Sequence, residues 1–323
     1  MLLINVIYLT GIYVKISIGA SNMKVLVLGG NSGFIGSHLS KSLASSFDSK
    51  FVSMRNLDWM GEDFSPNCII NLVGKAHDFT GLAKEEDFYY ANFELAKKAF
   101  QIFLSSPASV FIHISSLAAI EEIEASNALS EFATSNSVTP YGKSKRAAEE
   151  WLLKQTLPFG KKLIILRPPM VHGEGDKGNL NQLYQLVNKG IPYPLTRFKN
   201  KRSFLSIENF CFFIEQILFK KDKMETGIYH LADDETLSSN EIVKIIKEET
   251  GFNTPCLPLP KNLVRWISKV GDRTSLPLNT WRLKKLTSTL VVSNKKIKIA
   301  LSIHRLPLTA KEGLRETIRS FQK

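Results

Sequence analysis

The 323-residue sequence predicts an α/β fold, a doubly wound parallel sheet followed by a smaller and less regular C-terminal part. Three features point there. Apolar runs at residues 25–28, 68–73 and 110–114 are separated by stretches of helical period, the alternation that places helices on both faces of a parallel sheet. The first run passes into Gly29-Gly30-Asn-Ser-Gly33-Phe-Ile-Gly36 and then a helix, a glycine-spaced turn from strand to helix. Beyond Gly173 the alternation breaks down. A hydrophobic content of 44% is ample for one large core or two.

Residues 1–22 precede the first strand and match nothing after it. Lys15 interrupts their apolar run, which is too short to span a bilayer and lacks the basic start and cleavage site of a signal peptide. Met23 stands where such a domain begins. Translation is therefore expected to start there, with 1–22 a non-native or disordered extension.

The strand at 25–28 is unbroken by polar residues, as a strand buried on both faces should be. The turn after it presents bare backbone amides and a positive helix end, which suit a diphosphate. Gly30 makes the turn, Gly33 lets a phosphate approach the backbone, and Gly36 lets helix pack on strand, with Phe34 and Ile35 between them. A second strand is expected at 51–55. An acidic residue at its end would hold a ribose 2′-hydroxyl, whereas an arginine suits a 2′-phosphate. It ends at Arg55, with no carboxylate until Asp58, so NADP(H) is favoured over NAD(H). After the third strand, at 68–73, the loop from Val73 and Gly74 to His77 passes the cofactor. A helix follows at 87–104, with Phe88, Phe93, Leu95, Ala96, Ala99 and Phe103 near helical period. The strand at 110–114 runs into Ser115-Ser116, and catalytic groups belong beyond the carboxyl ends of such strands.

Thr139-Pro-Tyr141-Gly-Lys-Ser-Lys145 opens a further helix, with Tyr141 and Lys145 on one face. A lysine cation one turn from a tyrosine favours the phenolate and is expected to lower its pKa for acid–base work. Ser116 is placed to hydrogen-bond the same substrate oxygen.

Together these stretches resemble the extended short-chain dehydrogenase/reductase family, in its NAD-dependent epimerase/dehydratase branch. The likeness rests on Gly30-x-x-Gly33-x-x-Gly36, Tyr89-Tyr-Ala-Asn92, Ser115-Ser116, Tyr141-Gly-Lys-Ser-Lys145, Leu166-Arg-Pro-Pro-Met-Val-His-Gly173 and Arg202-Ser-Phe. It implies a Rossmann-type NAD(P)-binding domain over 23–172, to which some later segments return, and a nucleotide-sugar-binding part over 173–323. It also implies that Ser116 and Tyr141 act on a sugar hydroxyl or keto oxygen and that Lys145 holds the nicotinamide ribose. Asn92 would support the site, and the backbone at Pro168 would lie near the nicotinamide. Asn179 and Arg202 would reach the diphosphate of a UDP-sugar, with Arg282 a further candidate. Two residues depart from the pattern: His172 stands where tyrosine is usual, and Ser203 replaces an aspartate.

The stretches 71–78, 167–179 and 200–209 narrow the resemblance to bacterial capsule and O-antigen sugar enzymes. Members of that subgroup reduce UDP-2-acetamido-2,6-dideoxy-4-hexulose to UDP-N-acetylfucosamine or UDP-N-acetylquinovosamine, and many relatives are labelled UDP-glucose 4-epimerase. The expected activity is thus NADPH-dependent reduction of the C4 keto group, with a 4-epimerase holding tightly bound NAD as the alternative. Dehydration is disfavoured because Ser115-Ser-Leu-Ala carries no carboxylate pair. A homodimer is the usual assembly of such relatives.

Of the net charge of +12, all resides from Lys261 onward, where fifteen Lys and Arg face three Asp and Glu. A solvated lysine-rich face is the plainest reading of that segment, with an anionic substrate or peripheral membrane contact as the alternatives; no aromatic–basic interleaving points to nucleic acid. Three scattered cysteines form no metal-ligand pattern and no disulfide framework, as in a cytoplasmic protein.

Overall fold

Alternation along the strands sorts their side chains onto two faces, and each face is covered by its own helices. The computed structural model describes residues 21–30, 32–55, 64–76, 82–252, 254–274 and 278–323. Most of the N-terminal extension, Asp58 and His77 lie outside them. The strands are β1 (Ser21–Leu28), β2 (Phe47–Val52), β3 (Cys68–Asn71), β4 (Val110–Ile114), β5 (Lys162–Arg167), β6 (Met170–His172), β7 (Phe204–Ser206) and β8 (Gly227–His230). Six form one parallel sheet in the order β2-β1-β3-β4-β5-β8, while β6 and β7 pair separately. Because β2 and β3 flank β1 on opposite sides, the winding reverses there, and a crevice opens at the carboxyl ends of β1 and β3.

The helices are α1 (Phe34–Leu43), α2 (Glu85–Tyr89), α3 (Leu95–Ser105), α4 (Pro140–Leu153), α5 (Asn179–Asn188), α6 (Ile207–Phe219), α7 (Ser239–Thr250), α8 (Lys261–Gly271), α9 (Thr280–Thr287), α10 (Lys295–Ala300) and α11 (Ala310–Ser320). Val25, Val27, Ile70, Ile112 and Ile164 face α1 and α6 through Leu39, Leu43, Phe210, Phe213 and Ile217. Their neighbours Leu26, Leu28, Ile69, Phe111 and Ile165 face α3 and α4 through Phe100, Phe103 and Leu152. Each such side chain contributes about 1.5–3 kcal/mol on burial, so this sandwich dominates the stability of the N-terminal half. The sheet also recruits later segments: β8 pairs with β5, and α6 lies in the same core as Ile297 of α10.

A second core joins α5, α7 and α11 through Leu180, Leu183, Tyr184, Ile242, Ile246, Leu314 and Ile318. Capping boxes start two of these helices, Ser238 with Glu241 on α7 and Thr309 with Glu312 on α11. No helix among the described residues is long and apolar enough to cross a membrane.

Three element boundaries differ from the sequence expectation. The second strand is Phe47–Val52 rather than 51–55; it is the sheet edge, half-exposed along its middle, so its pattern is weak. The third ends at Asn71, whose side chain turns back to accept from the Val73 N–H at 3.1 Å. The helix expected at 87–104 is interrupted by a π-helical turn, Tyr90–Glu94. That turn carries the buried Asn92.

Candidate functional site

The crevice begins at the glycine turn. Gly29 (φ +126°) and Gly30 (φ +70°) take conformations that side chains disfavour. A Cβ on Gly29 would press on Leu72 and Val73 at 3.1 Å, so the turn packs directly on the loop leaving β3. Gly30 and Gly33, by contrast, have nothing within 4 Å of where a Cβ would stand. Gly33 is the N-cap of α1 and offers no side chain to its first-turn amides, which Phe34, Ile35 and Gly36 continue. Open space over uncapped amides fits the diphosphate of a dinucleotide. Val52, the last residue of β2, accepts the Gly29 N–H at 2.9 Å. Arg55 therefore lies exposed three residues past the strand end, near the turn rather than within the strand as expected.

Deeper in the crevice, Asn92 ties three elements together. Its Oδ1 accepts from the Lys75 N–H at 2.8 Å, and its Nδ2 donates to the Lys75 carbonyl and to Ser144 Oγ. The π-helical turn projects this one side chain out of the helical register, a device that recurs at functional sites. Gly74 is hemmed in: a Cβ would stand 2.8 Å from Asn92 Oδ1 and 2.9 Å from Lys145 Nζ. Lys145 is 5% exposed and donates to the Ile114 carbonyl at 2.9 Å. Its burial pulls the ammonium pKa down to about 8, against the opposing pull of Glu149.

Ser116 caps a short 3₁₀ turn after β4, its Oγ accepting from the Ala118 N–H at 3.2 Å. The N–H of Leu117 donates to the Pro168 carbonyl at 2.8 Å, which brings the Arg-Pro-Pro segment beside the serine. Tyr141 shares a hydrogen bond with Ser116. The expected lowering of its pKa is not what the fold produces. Burial pushes the phenol up, the Ser116 hydrogen bond opposes that, and the Glu122 charge adds to the rise. The Lys145 ammonium, for its part, is bonded to the Ile114 carbonyl.

Three carboxylates that the sequence reading passed over position these groups. Glu122 accepts from the Val138 and Thr139 N–H groups at 3.0 and 2.8 Å and from the Thr139 hydroxyl at 2.6 Å. Thr139 in turn caps α4, so Glu122 clamps the helix end that carries Tyr141. The fit is tight: a Cβ on Gly142 would meet the Ala118 carbonyl at 2.5 Å and Glu122 at 2.9 Å. Glu121 accepts from the Glu122 and Ile123 N–H groups and from Asn136. Burial would raise its pKa, but these hydrogen bonds hold it below the usual range. Glu149, fully buried, takes a two-point contact from Arg167 at 2.8 and 2.5 Å and a further bond from Ser115. Acidic side chains thus do follow Ser116, but Glu121 and Glu122 are engaged as acceptors for backbone and cap.

On the opposite wall, Arg202 donates to the Ile123 carbonyl at 3.1 Å. Burial brings its pKa down to about 10, opposed by Glu121. Lys285 of α9 faces Glu122 and Arg202; burial lowers its pKa, Glu122 opposes this, and Arg202 adds to it. Arg282, the α9 residue expected at the diphosphate, is exposed one turn earlier; Lys285 adds a second α9 cation, which the sequence reading did not single out. Only its place within Trp281-Arg-Leu-Lys-Lys could have suggested it. Asn179 is exposed at the first position of α5, where Gly178 is the N-cap. His172 is 1% exposed, and its Nδ1 lies 2.9 Å from Thr317 Oγ1 of α11, so it packs between elements. Burial takes its pKa down to about 4. Ser203 accepts from the Val292 N–H at 3.1 Å and secures the segment beside Arg202.

Comparison with known proteins follows this geometry. The model of the NAD dependent epimerase/dehydratase family matches residues 25–232. UDP-glucose 4-epimerase of Vibrio cholerae is 27% identical over 92% of this chain and 95% of its own. N-acetyl-alpha-D-glucosaminyl-diphospho-ditrans,octacis-undecaprenol 4-epimerase of Escherichia coli O157:H7 is 24% identical with the same coverage. In fold, the UDP-glucuronic acid 4-epimerase of Bacillus cereus, solved with NAD, superposes with a TM-score of 0.71 at 18% identity. That superposition covers 93% of this chain and 99% of the other.

Proposed function

Because the chain belongs to the NAD-dependent epimerase/dehydratase family and is an NAD(P)-dependent nucleotide-sugar enzyme, we propose that it reduces the C4 keto group of a UDP-4-keto-6-deoxy-N-acetylhexosamine. The product is UDP-N-acetylfucosamine or UDP-N-acetylquinovosamine, for surface polysaccharide. When bound, the reduced dinucleotide supplies the hydride. The amides above Gly30 and Gly33 hold its diphosphate, Arg55 its 2′-phosphate, and Lys145 the nicotinamide ribose, beside Val73, Gly74 and Pro168, with Asn92 bracing the loop at Lys75. Arg202 and Lys285 receive the sugar diphosphate, a pairing of cations with phosphate oxygens that desolvation strengthens.

What supports the chemistry is the pairing of Tyr141 with Ser116 beside the Pro168 backbone, and what favours dissociable NADPH, hence reduction, is the exposed Arg55 past the end of β2. A buried phenol whose pKa is raised is protonated at neutral pH, and it is bonded to Ser116. It is therefore an acid ready to protonate the developing C4 alkoxide while Ser116 polarises the oxygen. Lys145, one turn along the same helix, keeps a buried ammonium at the site. Purified protein given NADPH and the UDP-4-keto sugar should oxidise one NADPH per sugar reduced, with the 4-hydroxy product visible by NMR. Interconversion of UDP-sugars without added cofactor, and no net NADPH oxidation, would overturn it.

A second reading, 4-epimerisation with retained NAD, is favoured by the names of both curated relatives, each a 4-epimerase. The same serine, tyrosine and lysine serve it, and the same assay separates the two.

A further inference from the structure

The helix α8 is strongly amphipathic, and none of its residues belongs to the site described above. This helix buries only Val264, Ser268 and Gly271. Leu263, Trp266, Ile267 and Val270, at spacings of three and four, form a second apolar stripe, of which Leu263 and Trp266 are exposed and Ile267 and Val270 partly covered. Leu263 is 43% exposed and Trp266 is 63% exposed. Beside that stripe runs a row of exposed cations at every fourth position, Lys261, Arg265, Lys269 and Arg273. The helix contains no acidic residue. Asp272, just past its end, is engaged by the Thr280 N–H and hydroxyl at 2.8 and 2.6 Å, which fixes α9 against α8. A Cβ on Gly271 would meet the Leu278 carbonyl at 2.0 Å, so the two helices approach as closely as backbone allows. The neighbouring helix adds the partly exposed Trp281 and the exposed Arg282 and Lys284.

We propose that α8, with the adjoining face of α9, docks this protein on an anionic lipid bilayer surface. A helix lying in the interface inserts an apolar arc of Leu and Trp while long cationic side chains extend to the headgroups. The charge selects the occupant. The row Lys261, Arg265, Lys269 and Arg273 stands exposed with no acidic residue in the helix, so a second copy docked through the same face would meet like charge. Phosphatidylglycerol headgroups complement it. The docking is peripheral, since no described helix is long enough to span. It also sets the cleft close to the bilayer, because α9 turns Lys285 towards Glu122 and Arg202.

The test is flotation of the full-length protein with vesicles of phosphatidylcholine alone and of phosphatidylcholine with phosphatidylglycerol, at low and physiological salt. The wild type should float with the anionic vesicles only, and less so at the higher salt. Trp266→Ser should weaken partitioning at least tenfold, and Arg265→Gln and Lys269→Gln roughly fivefold each. All three should retain wild-type turnover of soluble UDP-sugar and wild-type circular dichroism. The proposal fails if the wild type floats with neither vesicle at low salt, or equally with both. It also fails if the variants float like the wild type, or if Trp266→Ser changes only the sedimenting mass, which would mark the face as a contact between copies.

Discussion

The two walls of the cleft hold their charges in opposite ways. On the sheet side, Glu149, Arg167 and Lys145 are almost wholly buried and bonded to one another or to backbone. On the helical side, Arg202 and Lys285 keep part of their surface in solvent, Arg202 held by the Ile123 and Ser288 carbonyls, and the cations Lys201 and Lys284 beside them are exposed. A buried, fully bonded charge fixes geometry, because losing one partner strands the other in a medium of low dielectric. A half-solvated cation is cheap to hold and strengthens when an anion displaces its water. The first wall is built for position and the second for capture.

The sharpest way to break that contrast is Glu149→Gln. It leaves the Arg167 guanidinium buried without its carboxylate and should cost about 3–5 kcal/mol in denaturant unfolding. Lys285→Met and Arg202→Met, in contrast, should each weaken UDP binding by about tenfold in calorimetry, with only small changes in unfolding. If Lys285→Met destabilised the protein as much as Glu149→Gln does, the division between walls would be wrong. A smaller effect concerns His172, held neutral by burial with a pKa of about 4. The unfolded chain takes up that proton as pH falls below its ordinary value of about 6.5. Stability contributed by this group is thus constant above pH 6.5 and declines from there towards pH 4. His172→Tyr should flatten the acid slope by up to about 1.4 kcal/mol per pH unit. Buried His113 and His230 would still contribute theirs, so only one proton's share is removed.

Much of the sheet wall was legible because its signals are local. The apolar runs of β1 and β4, the spacing of Gly30, Gly33 and Gly36, and the single turn between Tyr141 and Lys145 all fall within a few residues of one another. The edge strand β2 was misplaced because its middle is half-exposed and shows no clean period. Glu121 and Glu122 lie in an irregular segment where no periodicity marks a role. Glu149 was visible only as a helical carboxylate until β5 brought Arg167 against it. For Tyr141, chain spacing reveals a nearby ammonium but not the burial that raises the phenol's pKa. Lys285 joins the cleft through a helix far along the chain, and its neighbour Arg282 carries the same local signature.

The central claim is that the Tyr141 phenol, beside Ser116, delivers the proton in reduction. The direct test is a paired measurement on Tyr141→Phe: NADPH affinity by fluorescence titration, and single-turnover reduction of the UDP-4-keto sugar. Affinity should stay within a few-fold of wild type, while the rate falls by a factor of roughly 10²–10⁴. A rate within a few-fold of wild type at unchanged affinity would show that the proton comes from elsewhere.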